Sequence, residues 1–148
     1  MQFDPNNKVV KLCARGMELE GQGRKKEALK VFQQAWAVAT NELEKFTSAH
    51  YVARHQETLE DKLKWDETAL KFALKVKNDN VTSALPSLYL NIANCHENLN
   101  DFDNARENYN IALSYVDMLP ENGYGSMIKG GILNGIERLK KSQATGTK

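Results

Sequence analysis

The sequence predicts an all-α fold of seven helices, joined mostly by short loops. Apolar residues recur three and four apart along most of the chain, and no convincing run alternates with the period of a strand. Only three prolines occur, Pro5, Pro86 and Pro120, each where a helix would begin or has just ended. The bulk composition agrees: 41% hydrophobic and 26% charged residues in 148 suit one ordinary globular domain.

The elements follow in order. Asp4-Pro5 reads as an N-cap with proline in the first turn, and Val9, Leu12, Cys13, Gly16 and Leu19 trace the first helix's stripe. Gly21 and Gly23 interrupt the pattern, and a second helix places Ala28, Leu29, Phe32, Ala35 and Trp36 on one face. A third covers roughly 42 to 56. Thr58, with Asp61 three residues on, caps a fourth that runs to about Lys77 with Leu63, Trp65, Leu70 and Leu74. "KNDNVTSALPS" is a connection, and Pro86 sits near the start of the fifth helix, "SLYLNIANCHENL". Asp101 caps the sixth, about 102 to 117. The last places Ile128, Ile132, Ile136 and Leu139 on one side, and "SQATGTK", 142–148, reads as a disordered polar tail.

A net charge of +1 supplies no field to recruit nucleic acid or a membrane surface. No apolar run approaches the ~20 residues of a membrane span. The N-terminal residues lack the basic-then-apolar pattern of a secretion signal. Cys13 and Cys95, far apart and each inside a helical pattern, read as buried thiols in a reducing compartment. The cytoplasm is the expected setting.

Gly16, Ala28, Phe32 and Ala35 share their spacing with Ala93, Ala105, Tyr109 and Ala112, 77 residues later. A small residue lets two antiparallel helices approach, an alanine opposite does the same, and an aromatic one turn on fills the seam. The stretches "ARGMELEGQGRKKEALKVFQQAW" and "NIANCHENLNDFDNARENYNIAL" resemble the tetratricopeptide repeat, with its helix, glycine- or asparagine-containing turn, and second helix bearing alanine and an aromatic. His96 stands where the family favours tyrosine, and Arg15 where it has an apolar residue. Residues 42 to 78 would be a degenerate unit between them, at roughly 38 residues per unit. The resemblance implies a right-handed superhelix of about three hairpins, units about 5–40, 42–78 and 84–117, closed by a capping helix at 124–141. A single domain would then span residues 1–141.

"SAHYVARHQE", residues 48 to 57, is the stretch richest in chemistry. At 100° per residue, Ala49, Val52 and Ala53 make the buried stripe of its helix, while Tyr51, Arg54 and His55 project opposite. His50 and His55, five apart, diverge by about 140°, which does not serve one metal ion. No catalytic residue, metal ligand or cofactor motif emerges. The glycines of "GYGSMIKGGILNG" follow no strand and match no nucleotide fingerprint.

Ser87, Asn91, Asn94 and Asn98 recur at four, three and four, an amide-rich stripe that suits an extended peptide backbone. In the family's peptide binders, inner-helix asparagines are similarly placed, and Asn91 and Asn94 match such positions. Tyr51, Arg54 and His55 would be their aromatic and cationic counterpart, with Met17 on the apolar part of the groove. The first helix carries Val10, Cys13, Ala14 and Met17 where carboxylate-clamp members have lysine and asparagine, so a full clamp is not expected. The functional expectation is a non-enzymatic scaffold that binds a protein or peptide partner in a concave groove, with no nucleic acid, membrane or cofactor. One alternative is a self-associating module, a homodimer using Trp36, Trp65 or the glycine-rich last helix. The other is a small-molecule or enzymatic role centred on Tyr51 and His55.

Overall fold

The computed structural model describes residues 4–144 of the chain, with side chains to 141. Among these residues it holds seven helices of 12 to 22 residues, one four-residue helix and a 3-10 turn, with no strand. Contacts divide the chain into two compact units, Met1–Asn78 and Asp79–Lys148.

The first unit is two helical hairpins. Helices α1 (Lys8–Gly21) and α2 (Lys25–Val38) form one, α3 (Glu42–Ala53) and α4 (Leu59–Ala73) the other. Asp4-Pro5 does not cap α1 as expected. It starts a separate turn, in which Asp4 accepts from the Asn6 and Asn7 amides. Asn7 is the cap, its Oδ1 accepting from the Val9 and Val10 amides at 2.8 and 3.1 Å. Asn41 caps α3 in the same way, accepting from the Glu44 amide. Thr58 caps α4 as the sequence indicates, accepting from the Asp61 amide at 3.1 Å.

Glycine and alanine set the helix spacing. A Cβ on Gly16 would lie 2.2 Å from the ring of Phe32, which is fully buried. Val9, Cys13, Leu19, Ala28, Ala35 and, from α3, Val52 complete this core. The α3 helix is buried on more sides than the amphipathic reading gives it. Thr47 and Ser48 are also inside, and their hydroxyls donate back to the carbonyls of Leu43 and Glu44. In α4 the buried positions are Asp66, Ala69 and Ala73, whereas Leu74 is exposed and Leu63, Trp65 and Leu70 are half-buried. The helix turns alanine rather than leucine inward because α3 packs closely against it.

The second unit holds the short α5 (Asp79–Thr82), the hairpin α6 (Leu85–Asn98) and α7 (Phe102–Ser114), a 3-10 turn at Val116–Met118, and α8 (Gly123–Ala144). Its core is Leu90, Ala93, Ala105, Tyr109 and Ala112 with Ile128, Ile132 and Leu139 of α8. A Cβ on Gly135 would lie 2.3 Å from the Tyr109 ring. Helix α8 runs three residues past the expected 141, and the remainder of the predicted tail, 145–148, lies outside the described residues.

The repeat is written in the helix starts. From Lys8 to Glu42 and from Lys25 to Leu59 the spacing is 34 residues; from Glu42 to Leu85 and from Leu59 to Phe102 it is 43. The even spacing of roughly 38 is therefore replaced by a regular step and a longer one. The extra nine residues belong to the connection that contains α5. The two hairpin turns of matching motif are also built alike. Gly23 (φ 77°) and Asn100 (φ 63°), 77 residues apart, take the left-handed conformation that ends each first helix. The next amide closes the turn in both, Arg24 onto the Leu19 carbonyl and Asp101 onto the His96 carbonyl. Glu57 stands at this position in the middle hairpin, and there α3 ends two residues earlier, at Ala53.

Because Phe32 and Tyr109 have no room to retreat, Gly16→Val and Gly135→Val should each cost about 1–3 kcal/mol of unfolding free energy. Urea denaturation followed by circular dichroism measures it. Gly130→Val, on an open stretch of α8 with nothing within 4 Å, should lose much less.

Candidate functional site

The first unit brings Met17, Tyr51, Arg54 and His55 together beside Phe32 and Glu20. The α1 helix supplies Met17 and Glu20, α3 supplies Tyr51, and Arg54 and His55 follow directly on the end of α3. Tyr51 stacks on Phe32 with centroids 5.0 Å apart and planes 17° apart, and the His55 ring lies nearly parallel to Phe32 at 6.2 Å. The Tyr51 hydroxyl donates to Met17 Sδ at 3.3 Å, and burial raises its pKa. The Arg54 guanidinium sits 4.6 Å from the Tyr51 ring centroid. Its Nη1 donates to Glu20 Oε1 at 3.1 Å, while His55 Nε2 lies 2.6 Å from Glu20 Oε2.

Four of the eight expected groove residues are thus together, and a glutamate that the sequence does not single out binds two of them, Arg54 and His55. Glu20 lies four residues after Gly16, as Glu97 lies four after Ala93, and that equivalence was the available signal. His55 and Glu20 are mostly enclosed. Met17 and Arg54 remain 42% and 44% exposed, the latter by its side chain.

The amide stripe of α6 divides. Ser87 is buried, its hydroxyl 2.5 Å from that of Tyr124. Asn94 Oδ1 accepts from the Tyr109 hydroxyl at 2.6 Å, an internal bond. Among the described residues, Asn91 and Asn98 make no side-chain hydrogen bond; Asn91 is half-buried and Asn98 exposed. The single Tyr109 proton is shared between Asn94 and Glu97 Oε1, also at 2.6 Å. Arg138 closes the group by donating from Nε and Nη2 to the Glu97 carboxylate at 2.9 and 3.0 Å.

The two units therefore repeat one arrangement. A buried ring (Phe32, Tyr109) lies beside a first-helix glutamate (Glu20, Glu97), which binds an arginine of the next helix along (Arg54, Arg138). Tyr51 and Gly135, three residues before those arginines, both lie against the ring. Helix α8 thus stands to α6 and α7 as α3 stands to α1 and α2.

At the 34-residue step, the positions of Gly16, Ala28, Phe32 and Ala35 fall in the middle hairpin on His50, Lys62, Asp66 and Ala69. The seam is polar there. Asp66, 1% exposed, accepts from Lys62 Nζ at 2.6 Å. Burial, with Arg54 and Lys62 nearby, pushes the His50 imidazole down to about 4. Its Nδ1 is enclosed without a partner among the described residues. Cys13 is likewise pushed up, to about 11, by burial, which keeps it a thiol. Among the described residues no group of three or more His, Cys, Asp or Glu could hold a metal ion, and no helix is long and apolar enough to cross a membrane.

Residues 86–115, nearly the whole α6–α7 hairpin, match the family model of the tetratricopeptide repeat. The α6–α7 hairpin is a tetratricopeptide repeat. Neither a curated protein nor a solved structure matches it. The matched repeat holds the full alanine–aromatic signature, Ala93, Ala105, Tyr109 and Ala112, all fully buried. The middle hairpin keeps the 34-residue step from the hairpin before it while replacing the residues of its seam.

The Arg138–Glu97 pair gives a signed test. Hydrogen bonds from Arg138, and secondarily from Tyr109, hold the Glu97 carboxyl below the ordinary carboxylate range, against burial, which raises it. A depressed carboxylate contributes stability in full above its unfolded value, near 4.5, and loses it as pH falls through the lower folded value. Arg138→Ala should therefore cost about 1 kcal/mol at neutral pH. Its deficit relative to the native chain should shrink on acidification below about pH 4.5. Urea unfolding across that range checks both.

Proposed function

We propose that this chain, with its tetratricopeptide repeat at residues 86–115, is an interaction scaffold without catalytic activity, and that the Met17–Tyr51–Arg54 surface contacts an extended segment of a protein partner. The supporting observation is the state of Arg54. It gives Nη1 to Glu20, and among the described residues its Nε and Nη2 make no hydrogen bond, on a guanidinium already fixed over the Tyr51 ring. Side chains from two successive first helices, α1 and α3, meet there, so the surface offers an apolar thioether, an aromatic edge and an oriented cation together. A carbonyl or carboxylate of the partner would take the free guanidinium edge. His55 orients Glu20 in this reading and does not touch the partner. In the second unit, Asn91 and Asn98 keep donors and acceptors available to a peptide backbone, whereas Asn94 and Ser87 act internally.

Self-association is the second reading, favoured by the exposure of Tyr124, Met127 and Leu133 on α8. Sedimentation at micromolar concentration decides it, since a monomer there removes this alternative.

A peptide selected from an array should bind the native chain measurably by fluorescence anisotropy. Arg54→Ala and Met17→Ala should each weaken it by about tenfold, and Asn91→Ala should reduce binding wherever the second unit takes part. Binding that neither first-unit substitution changes would remove Met17 and Arg54 from the site.

A further inference from the structure

We propose that the aromatic cluster of α2 and α4, ringed by Lys45, Lys71 and Lys75, is a second docking surface, one that takes an acidic segment of a partner protein. It uses none of the residues of the Met17–Tyr51–Arg54 surface. Trp36 meets Trp65 edge to face at 5.2 Å and 89°, and meets Phe72 at 6.0 Å and 61°. Three ammonium groups converge on Phe72: Lys45 at 5.5 Å from the ring centroid, Lys71 at 5.6 Å and Lys75 at 5.4 Å. Lys45 also lies 5.9 Å from the Trp36 centroid. Ring quadrupoles hold these cations in place.

None of the three is neutralised. Among the described residues, Lys45, Lys71 and Lys75 form no ion pair, whereas Lys62 of the same helix as Lys71 is bonded to Asp66. Three like charges around one ring repel, and a carboxylate-bearing partner relieves that repulsion as it binds. The occupant's chemistry follows from what the rings leave open. Three ammonium groups lie over Phe72 and one over Trp36, so these rings are poor platforms on which a nucleobase would stack. Carboxylates fit the ammonium groups. Leu74, 53% exposed and one helical turn beyond Lys71, offers an apolar contact beside them. The segment that fits therefore has glutamate or aspartate interspersed with an apolar side chain.

The chain supplies its own probe. Both of its tryptophans, Trp36 and Trp65, lie in this cluster, so intrinsic fluorescence reports on it directly. The full chain would be titrated with a short synthetic peptide of glutamates interrupted by leucine, with the lysine-for-glutamate counterpart, and with oligothymidylate. Only the acidic peptide should give a saturable change, and added salt should weaken it. Lys71→Glu with Lys75→Glu should weaken it by about tenfold or more at native helix content by circular dichroism. Should that pair of substitutions unfold the chain, Lys71→Gln with Lys75→Gln takes its place with the same expectation. Lys30→Glu with Lys129→Glu, an equal charge change elsewhere, should leave binding intact, and so should Arg54→Ala, which separates this surface from the first. The proposal is overturned by no saturable change, by equal loss in the two charge-reversed pairs, or by oligothymidylate binding as tightly as the acidic peptide.

Discussion

Each unit is organised around one aromatic ring pressed onto the backbone of another helix. Phe32 rests on Gly16 and Tyr109 on Gly135, at separations that leave no space for a methyl group. Burying such a ring stabilises by about 2–3 kcal/mol, but its larger effect is geometric. It fixes the distance between helices, and with it the positions of side chains a turn away. Tyr51 is presented because it stacks on Phe32. Arg54 is presented because it lies over Tyr51 and is tied to Glu20. The exposed groups of the first unit thus hang on a contact at its centre.

The second unit solves the same packing problem with the sizes exchanged. Where the first has glycine beneath its ring and a tyrosine beside it, the second has Ala93 on the first helix and Gly135 on α8. The glutamate–arginine pair recurs beside both rings. That recurrence makes α8 equivalent to the first helix of a hairpin, a relation its glycine-rich composition hides. It also gives Glu97 and Arg138 a structural occupation, which draws Asn94 inward through Tyr109 and away from the solvent face.

The sequence made the helical class, the order of helices and the paired motif legible, because each rests on periodicity and on residues such as Gly23, Asn100 and Thr58 whose conformational roles are local. It placed Tyr51, Arg54 and His55 on one side through helical phase, and Met17 with them only through what the family resemblance implies of a groove. It did not reveal Glu20, since a glutamate on a charged helix looks like any solvated side chain until its partner helix is placed. The inward face of α4 was hidden for a related reason. Leucine spacing marks an amphipathic helix, but the positions buried in α4 are Asp66, Ala69 and Ala73. The asparagine stripe was one in sequence and three environments in space: buried contact at Ser87, internal acceptor at Asn94, open amides at Asn91 and Asn98.

Lys62 and Asp66 stand where the outer hairpins have an alanine and an aromatic ring. The two positions are not equivalent, because Asp66 is enclosed while the Lys62 side chain is one third exposed. Replacing Lys62 first takes an ammonium from a buried carboxylate, whereas replacing Asp66 first leaves an ammonium that reaches water. Drift by single substitutions back to the neighbours' alanine and aromatic is therefore ordered, with position 66 changing before position 62.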